Sequence, residues 1–331
     1  MAAQGKLARR VLGSSGIEVS AIGLGCMSFS GVYGACDDNA AAALVNEAID
    51  RGVTFLDSAD MYGWGHNEEL VGRAIAGRRS EIVLATKFGQ TRREGGLNGV
   101  DGRPEYVREA CEASLRRLKV DTIDLYYQHR VDPSVAIEET IGAMGRLVEQ
   151  GKVRALGLSE AGPETIRRAH KVHKIAAVQS EYSLLYRDHA EATLRTTREL
   201  GIAFVAYSPL GRGMLTEAVP QKLAEGDGRL RHPRFAEANL ARNLELVRRV
   251  EAIAKGKRCT TPQLVLAWLL AQGSDIIPVP GTKRSERLLD NLGALGVLLT
   301  KDEVAAITAA VPPGSVAGTR YSEAQMKGVH L

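Results

Sequence analysis

Short runs of apolar, β-prone residues alternate along this chain with stretches whose apolar positions recur every three or four residues. Ala8 to Leu12 and Ile17 to Ser20 flank the turn Gly13-Ser14-Ser15-Gly16 and predict an N-terminal hairpin. Eight further runs predict strands: Ala21 to Gly25, Thr54 to Asp57, Ile82 to Lys87, Ile123 to Gln128, Ala155 to Leu158, Ala177 to Gln179, Ile202 to Tyr207 and Ile276 to Val279. Helical patterns lie between them, at Asn39 to Arg51, Asn67 to Gly77, Pro104 to Lys119, Ala136 to Gln150, Pro163 to His173, His189 to Leu200 and Thr261 to Ala271. In the third, Val107, Cys111, Leu115 and Leu118 form one face and Arg108, Glu112, Arg116 and Arg117 the other. Gly162-Pro163 and Thr261-Pro262 suit helix starts, and Gly52, Gly151 and Gly201 suit helix ends. Regular strand-helix alternation requires parallel pairing, and eight repeats predict closure. The expected architecture is an α/β fold, a (β/α)8 barrel with an N-terminal β-hairpin and additional C-terminal helices, as one domain over residues 1–331.

Two segments exceed the eight repeats. Pro209 to Leu240 is rich in glycine and charge, with a helical turn expected at Val219 to Glu225 and a helix at Ala241 to Lys255 after it. Its length and Gly211, Gly213, Gly226 and Gly228 suggest a hinged lid. The second addition is a helix at Lys301 to Val311, followed by an irregular tail from Pro312-Pro313-Gly314.

Four ionisable residues stand at or beyond the ends of predicted strands: Asp57, Tyr62, Lys87 and His129. In a parallel barrel those ends share one rim, where catalytic groups gather. A lysine ending an apolar strand is costly unless paired, and Asp57 is the available partner. The set suits carbonyl reduction: Tyr62 gives a proton to the developing alkoxide, Lys87 lowers the phenol pKa, Asp57 keeps the lysine charged and His129 orients the carbonyl oxygen. Met27, Phe29, Tyr33 and Trp64 are candidates to line an apolar substrate pocket beside them.

Composition narrows the alternatives. The 331 residues are 44% hydrophobic and 25% charged, with a formal charge of +4 that is too weak and dispersed to argue for nucleic acid. Cys26, Cys36, Cys111 and Cys259 are scattered, as expected of reduced thiols. No run approaches the roughly 20 apolar residues of a membrane span, and the N-terminal residues do not have signal-peptide form, so a cytoplasmic location is expected. His170 and His173 lack a third metal ligand nearby, so no metal is expected. Gly23-Leu24-Gly25 is followed by Ser28 where a dinucleotide fingerprint has its third glycine, which argues against a Rossmann site.

The motifs, in order, resemble those of the aldo-keto reductases over nearly the whole chain. They are Asp57-Ser58-Ala59-Asp60-Met61-Tyr62-Gly63 with Asn67-Glu68, Thr86-Lys87, Asp121 to His129, Gly151 to Ser159, Tyr207-Ser208-Pro209-Leu210-Gly211-Arg212-Gly213, and Ile277 to Lys283. The resemblance implies a barrel that binds NADPH in extended form. Tyr207 would stack on the nicotinamide while Ser159 and Gln179 bond its carboxamide. Backbone groups of Ser208, Leu210, Gly211 and Gly213 would hold the pyrophosphate. Gly281, Thr282 and Lys283 would lie at the 2′-phosphate, with Arg287 and Asn291 at the adenine. Two positions depart from the family pattern: Glu160 follows Ser159 where many members have asparagine, and Gly281 follows the proline where many have lysine. The Pro-Gly-Thr variant resembles the branch of plant and bacterial aldehyde reductases. The implied partner is a small-molecule carbonyl compound, and a monomer is the family's commonest state. Some proteins of this fold serve instead as cofactor-sensing regulatory subunits with slow turnover.

Overall fold

The structure, a computed structural model, describes residues 7–92, 98–216, 223, 225 and 227–330. Two short strands, β1 (Arg9–Val11) and β2 (Glu18–Ser20), pair antiparallel with Arg9 opposite Ser20. Gly13 in their turn has φ +53°, and an added Cβ would lie 2.6 Å from the Ala176 carbonyl oxygen, so the turn admits only glycine without a shift. Leu12, Ile17 and Val19 thereby join the core inside the barrel, together with Phe55, Leu125 and Val205. The hairpin is the plug at the N-terminal end of the strands.

Barrel strands and one excursion follow in chain order: β3 (Leu24–Gly25), β4 (Phe55–Asp57), β5 (Val83–Phe88), the antiparallel pair β6 (Gln90–Arg92) and β7 (Asn98–Val100), β8 (Ile123–Gln128), β9 (Val153–Ser159), β10 (Ile175–Glu181), β11 (Ala203–Tyr207) and β12 (Ile276–Pro278). The main sheet has eight strands in the order β12-β11-β10-β9-β8-β5-β4-β3, with parallel pairing throughout. Across the seam the Gly23 amide donates to the Pro278 carbonyl at 2.9 Å and the Gly25 amide to the Pro280 carbonyl at 3.2 Å. These bonds close the sheet into the expected barrel. Gly25 permits the approach, because a Cβ there would lie 2.8 Å from the Val279 carbonyl oxygen.

Around the sheet lie α1 (Asp38–Asp50), α2 (His66–Ala74), α3 (Pro104–Leu118), α4 (Ile137–Glu149), α5 (Pro163–Val172), α6 (Asp188–Glu199), α7 (Glu237–Lys257), α8 (Thr261–Ala271), α9 (Ser285–Gly293), α10 (Lys301–Ala310) and α11 (Glu323–Met326). Their apolar faces meet the outward side chains of the strands in two further core clusters, one centred on α1 to α5 and one on α6 to α8. Capping boxes at Thr260 with Gln263 and at Thr300 with Glu303 start α8 and α10.

Element boundaries agree with the pattern along the chain to within a few residues, and β8 and α8 have the predicted limits. The β6–β7 hairpin, α9 and α11 were not predicted. Helix α9 buries only Leu288 and Asn291, too narrow a face to produce an apolar rhythm. The expected turn at Val219 to Glu225 falls mostly outside the described residues, as does Gly226 of the suggested hinges.

Candidate active site

Asp57 ends β4, Lys87 lies in the last turn of pleat of β5, and His129 directly follows β8. These strands are neighbours, so their C-terminal ends bring the three side chains to one sector of the rim. Tyr62 comes from the loop after β4. That loop is held by Asn67, whose side chain donates to the Cys26 carbonyl and to Ser30 Oγ, each at 2.9 Å, and accepts from Ser58 Oγ at 2.7 Å.

Lys87 is completely buried, and its ammonium reaches Asp57 Oδ1 at 2.5 Å, the Ser58 carbonyl at 2.6 Å and Tyr62 Oη at 3.3 Å. All three N–H groups are thus directed. The Gln179 amide nitrogen donates to the second Asp57 oxygen at 2.8 Å, so β10 braces the carboxylate from the other side. The Tyr62 and His129 rings meet edge to face with centroids 5.8 Å apart.

The titration behaviour follows from enclosure. Burial pulls the Lys87 ammonium down, yet Asp57 and Tyr62 outweigh it and the pKa is raised, so the lysine stays charged. Burial pushes the Tyr62 phenol up, and the Lys87 charge offsets this only in part. The expected lowering of the phenol pKa is therefore not seen; the dry site wins, and Tyr62 is kept protonated. Burial, aided by the Arg130 and Lys87 charges, holds the His129 imidazole well below its ordinary range and hence neutral. Its Nδ1 is enclosed without a partner among the described residues.

Along the rim, Ser208, Gly211, Arg212 and Gly213 have φ of +48°, +57°, +58° and +87°. The turn is closed by its own amides: the Gly211 N–H donates to the Ser208 carbonyl at 2.9 Å and the Gly213 N–H to the Leu210 carbonyl at 3.0 Å. Arg212 Nη1 donates to Tyr33 Oη at 3.1 Å, and its enclosed Nε has no partner among the described residues. Leu210 begins this short turn. Ser159 Oγ accepts from Arg130 at 3.3 Å, and the half-buried Tyr207 stands at the end of β11. After β12 come Gly281 and the buried Thr282, with Arg287 and the buried Asn291 on α9. The Lys283 ammonium donates to the carbonyls of Tyr33, Gly34 and Ala35 at 2.8, 3.1 and 3.0 Å, which ties the loop after β3 to the segment after β12.

The four expected pocket residues divide. Met27 is half-buried and Tyr33 sits against Arg212. Trp64 is 43% exposed beside Tyr62 with φ +53°, an uncommon conformation for an aromatic residue, and Arg92 lies 6.0 Å from its ring. Phe29 departs from expectation: at 1% exposure it belongs to the outer core cluster with Leu24, Leu44 and Val45, because its turn packs against α2 and leaves the ring no open face.

A second buried cluster was not foreseen. Glu160 and Glu181, at the ends of β9 and β10, meet Arg234 and Arg320; Arg234 Nη1 donates to Glu181 at 2.8 Å and Arg320 Nη1 to Glu160 at 2.8 Å. Tyr321 lies beside them, its hydroxyl 2.9 Å from that of Tyr207. Glu160 and Glu181 carried the same signal as Asp57, a charge ending an apolar strand. Arg234, Arg320 and Tyr321 carried none, since their segments have no periodicity.

The whole-chain comparison with known proteins now decides the family: the family model described as Aldo/keto reductase family matches residues 21–312. The chain belongs to the aldo/keto reductases, a family of oxidoreductases. It is 48% identical over 313 residues to probable aldo-keto reductase 1 of Glycine max, covering 94% of this chain and 90% of that protein. Among solved structures, the glycerol dehydrogenase of Gluconobacter oxydans superposes with a TM-score of 0.84 at 29% identity, over 94% of this chain and 97% of that one. An aldo/keto reductase of Klebsiella pneumoniae in complex with NADP and acetate gives 0.74 at 26% identity, over 96% and 99%. Among the described residues no helix is long and apolar enough to cross a membrane.

Proposed function

We propose that this protein is an NADPH-dependent reductase of aldehydes and ketones in which Tyr62 is the proton donor. The observation that carries the reading is the buried Lys87 ammonium, bonded at once to Asp57 Oδ1 at 2.5 Å and to Tyr62 Oη at 3.3 Å. Bound NADPH supplies the hydride. Tyr62, kept protonated by burial, donates to the substrate oxygen, and Lys87 stabilises the phenolate left behind. Neutral His129 orients the carbonyl through a hydrogen bond, while Asp57, braced by Gln179, holds the lysine charge in place. The segment Ser208 to Gly213 would hold the pyrophosphate, and Ser159 and Tyr207 would meet the nicotinamide, as the motifs' resemblance implies. Arg287 and the exposed Arg284, at the start of α9, supply positive charge for a 2′-phosphate, and this favours NADPH over NADH. The plant relative and the NADP-bound neighbour agree in kind with this assignment.

The deciding experiment follows loss of nicotinamide absorbance with NADPH or NADH against aromatic, aliphatic and dicarbonyl aldehydes. Tyr62→Phe is expected to lower kcat by about 10²-fold or more while NADPH affinity stays within about twofold, as for loss of a general acid. A variant that kept most of its rate would remove Tyr62 from the role. Tight NADPH binding with negligible turnover across the panel would move the protein to the cofactor-sensing alternative.

A further inference from the structure

We propose that Arg320, from the C-terminal segment, is a positioning residue for the ring of Tyr207 and is held in that task by Glu160. The inference rests on the reading that Tyr207 faces the nicotinamide. Arg320 is 1% exposed although it lies in a segment without periodicity, and it stands 160 residues from Glu160 in sequence. Its guanidinium meets the Glu160 carboxylate with both terminal nitrogens, Nη1 on Oε1 at 2.8 Å and Nη2 on Oε2. Such a two-pronged contact fixes orientation as well as distance. With the remaining hydrogen on Nη1, Arg320 donates to Tyr207 Oη at 3.0 Å. Tyr321, the next residue, shares a 2.9 Å hydrogen bond with the same hydroxyl. Tyr186 and Tyr321 flank the guanidinium, 4.3 and 5.0 Å from ring centroid to Cζ.

Glu160 is itself a fixed post. Its backbone is left-handed, φ +55°, and its carboxylate accepts from Ser180 Oγ and the Glu181 amide, each at 3.0 Å. The Glu160 carbonyl accepts from the His330 amide at 2.7 Å, so the C-terminal segment is tied to this one residue at two points ten positions apart, Arg320 and His330. Burial pushes the Glu160 carboxyl up, but Arg320 more than reverses this and keeps it ionised. An asparagine here would offer one acceptor and turn an N–H₂ group toward the guanidinium. The departure from the family pattern at position 160 thus has a use: it trades an amide for the anchor of Arg320. Two hydrogen bonds to one phenol hydroxyl hold the ring at a set angle, where a tyrosine on a rim would otherwise sample several.

NADPH dissociation constants, by fluorescence quenching, together with kcat and KM for one aldehyde, test this on Tyr207→Phe, Arg320→Lys, the double variant, Glu160→Gln and Tyr207→Ala. Arg320→Lys is expected to weaken NADPH about tenfold, the effect of one well-placed hydrogen bond, and Tyr207→Phe, which loses the Tyr321 bond as well, at least as much. The double variant should be no worse than Tyr207→Phe alone, since that variant already removes the bond that Arg320 makes. The pH profile of kcat should be unchanged, because Tyr62 and Lys87 are untouched. Additive losses, or unchanged NADPH affinity in variants that only melt earlier, would overturn the role of Arg320. Tyr207→Ala separates the two readings. If it binds NADPH like the wild type, Tyr207 does not face the cofactor and the underlying assignment fails; if it is weakened while Tyr207→Phe and Arg320→Lys are not, only the positioning role fails.

Discussion

Asp60 shares a loop with Asp57 and Tyr62 but meets a different environment. Its amide donates to the Lys87 carbonyl at 3.0 Å, while its Oδ1 is enclosed without a partner among the described residues. Burial, and next the charge of Glu68, pushes its carboxyl up to about 8. In the unfolded chain the group titrates near pH ~3.9. Between those values the native state keeps a proton that the unfolded state has released, so stability falls as pH rises from about 4 to about 8 and levels off above. The slope contributed is at most about 1.4 kcal/mol per pH unit. Asp60→Asn is expected to remove that slope; urea unfolding at pH 5 and pH 8 would show it, and a wild-type slope in the variant would assign the fall to other groups. Within the same loop, Asp57 differs because Lys87 and Gln179 satisfy both of its oxygens. One carboxylate serves the lysine; the other is stranded by the fold.

At the scale of elements, the Glu68 carboxylate ties α2 to both β5 and α3. Glu68 is fully buried and accepts from Thr86 Oγ1 of β5 at 2.6 Å and from Arg117 Nε of α3 at 2.7 Å. It lies just C-terminal to the loop that carries Tyr62, so the tie also sets where the phenol sits. Glu68→Ala would leave the Thr86 hydroxyl and the Arg117 guanidinium without their acceptor, and is expected to destabilise the fold by about 3–5 kcal/mol. A denaturation midpoint close to wild type would show that water replaces the carboxylate cheaply. Gly72 explains why helix and neighbour come so close: a Cβ there would lie 2.5 Å from the Leu118 carbonyl oxygen at the end of α3. Most of these elements were legible, since their apolar faces are wide. Helix α9, with two buried residues, was not, and neither was the charged and glycine-bearing β6–β7 hairpin.

The whole molecule depends on one seam. Strand β3 has only two residues, yet with Gly23 just before it, it carries the closure through the amides of Gly23 and Gly25. Gly25→Ala would press a methyl group against the Val279 carbonyl, and the seam must open to admit it. The expected cost is about 1–3 kcal/mol of stability. Because Gly281 and Thr282 follow on the same side, NADPH binding should weaken as well. Thermal melts with and without NADPH test both; an unchanged melting temperature would mean that the seam relaxes without strain.

Periodicity by itself determined the strands, most helices and the barrel, and it set Asp57, Lys87 and His129 at strand ends; Tyr62, in a loop, was picked out by its spacing from Asp57 and the motif's resemblance to the aldo-keto reductases. The periodic features depend on local alternation of apolar and polar residues, and parallel closure then places strand ends on a common rim wherever those strands lie in sequence. Tertiary structure alone decided the rest. Phe29 turned into the core, Lys283 reached the carbonyls of Tyr33 to Ala35, and burial outweighed Lys87 in setting the state of Tyr62. Arg320 reached Glu160 across 160 residues. Such outcomes depend on which side chain occupies the space left between distant elements and on how much water remains there, and neither quantity has a period that a chain can display.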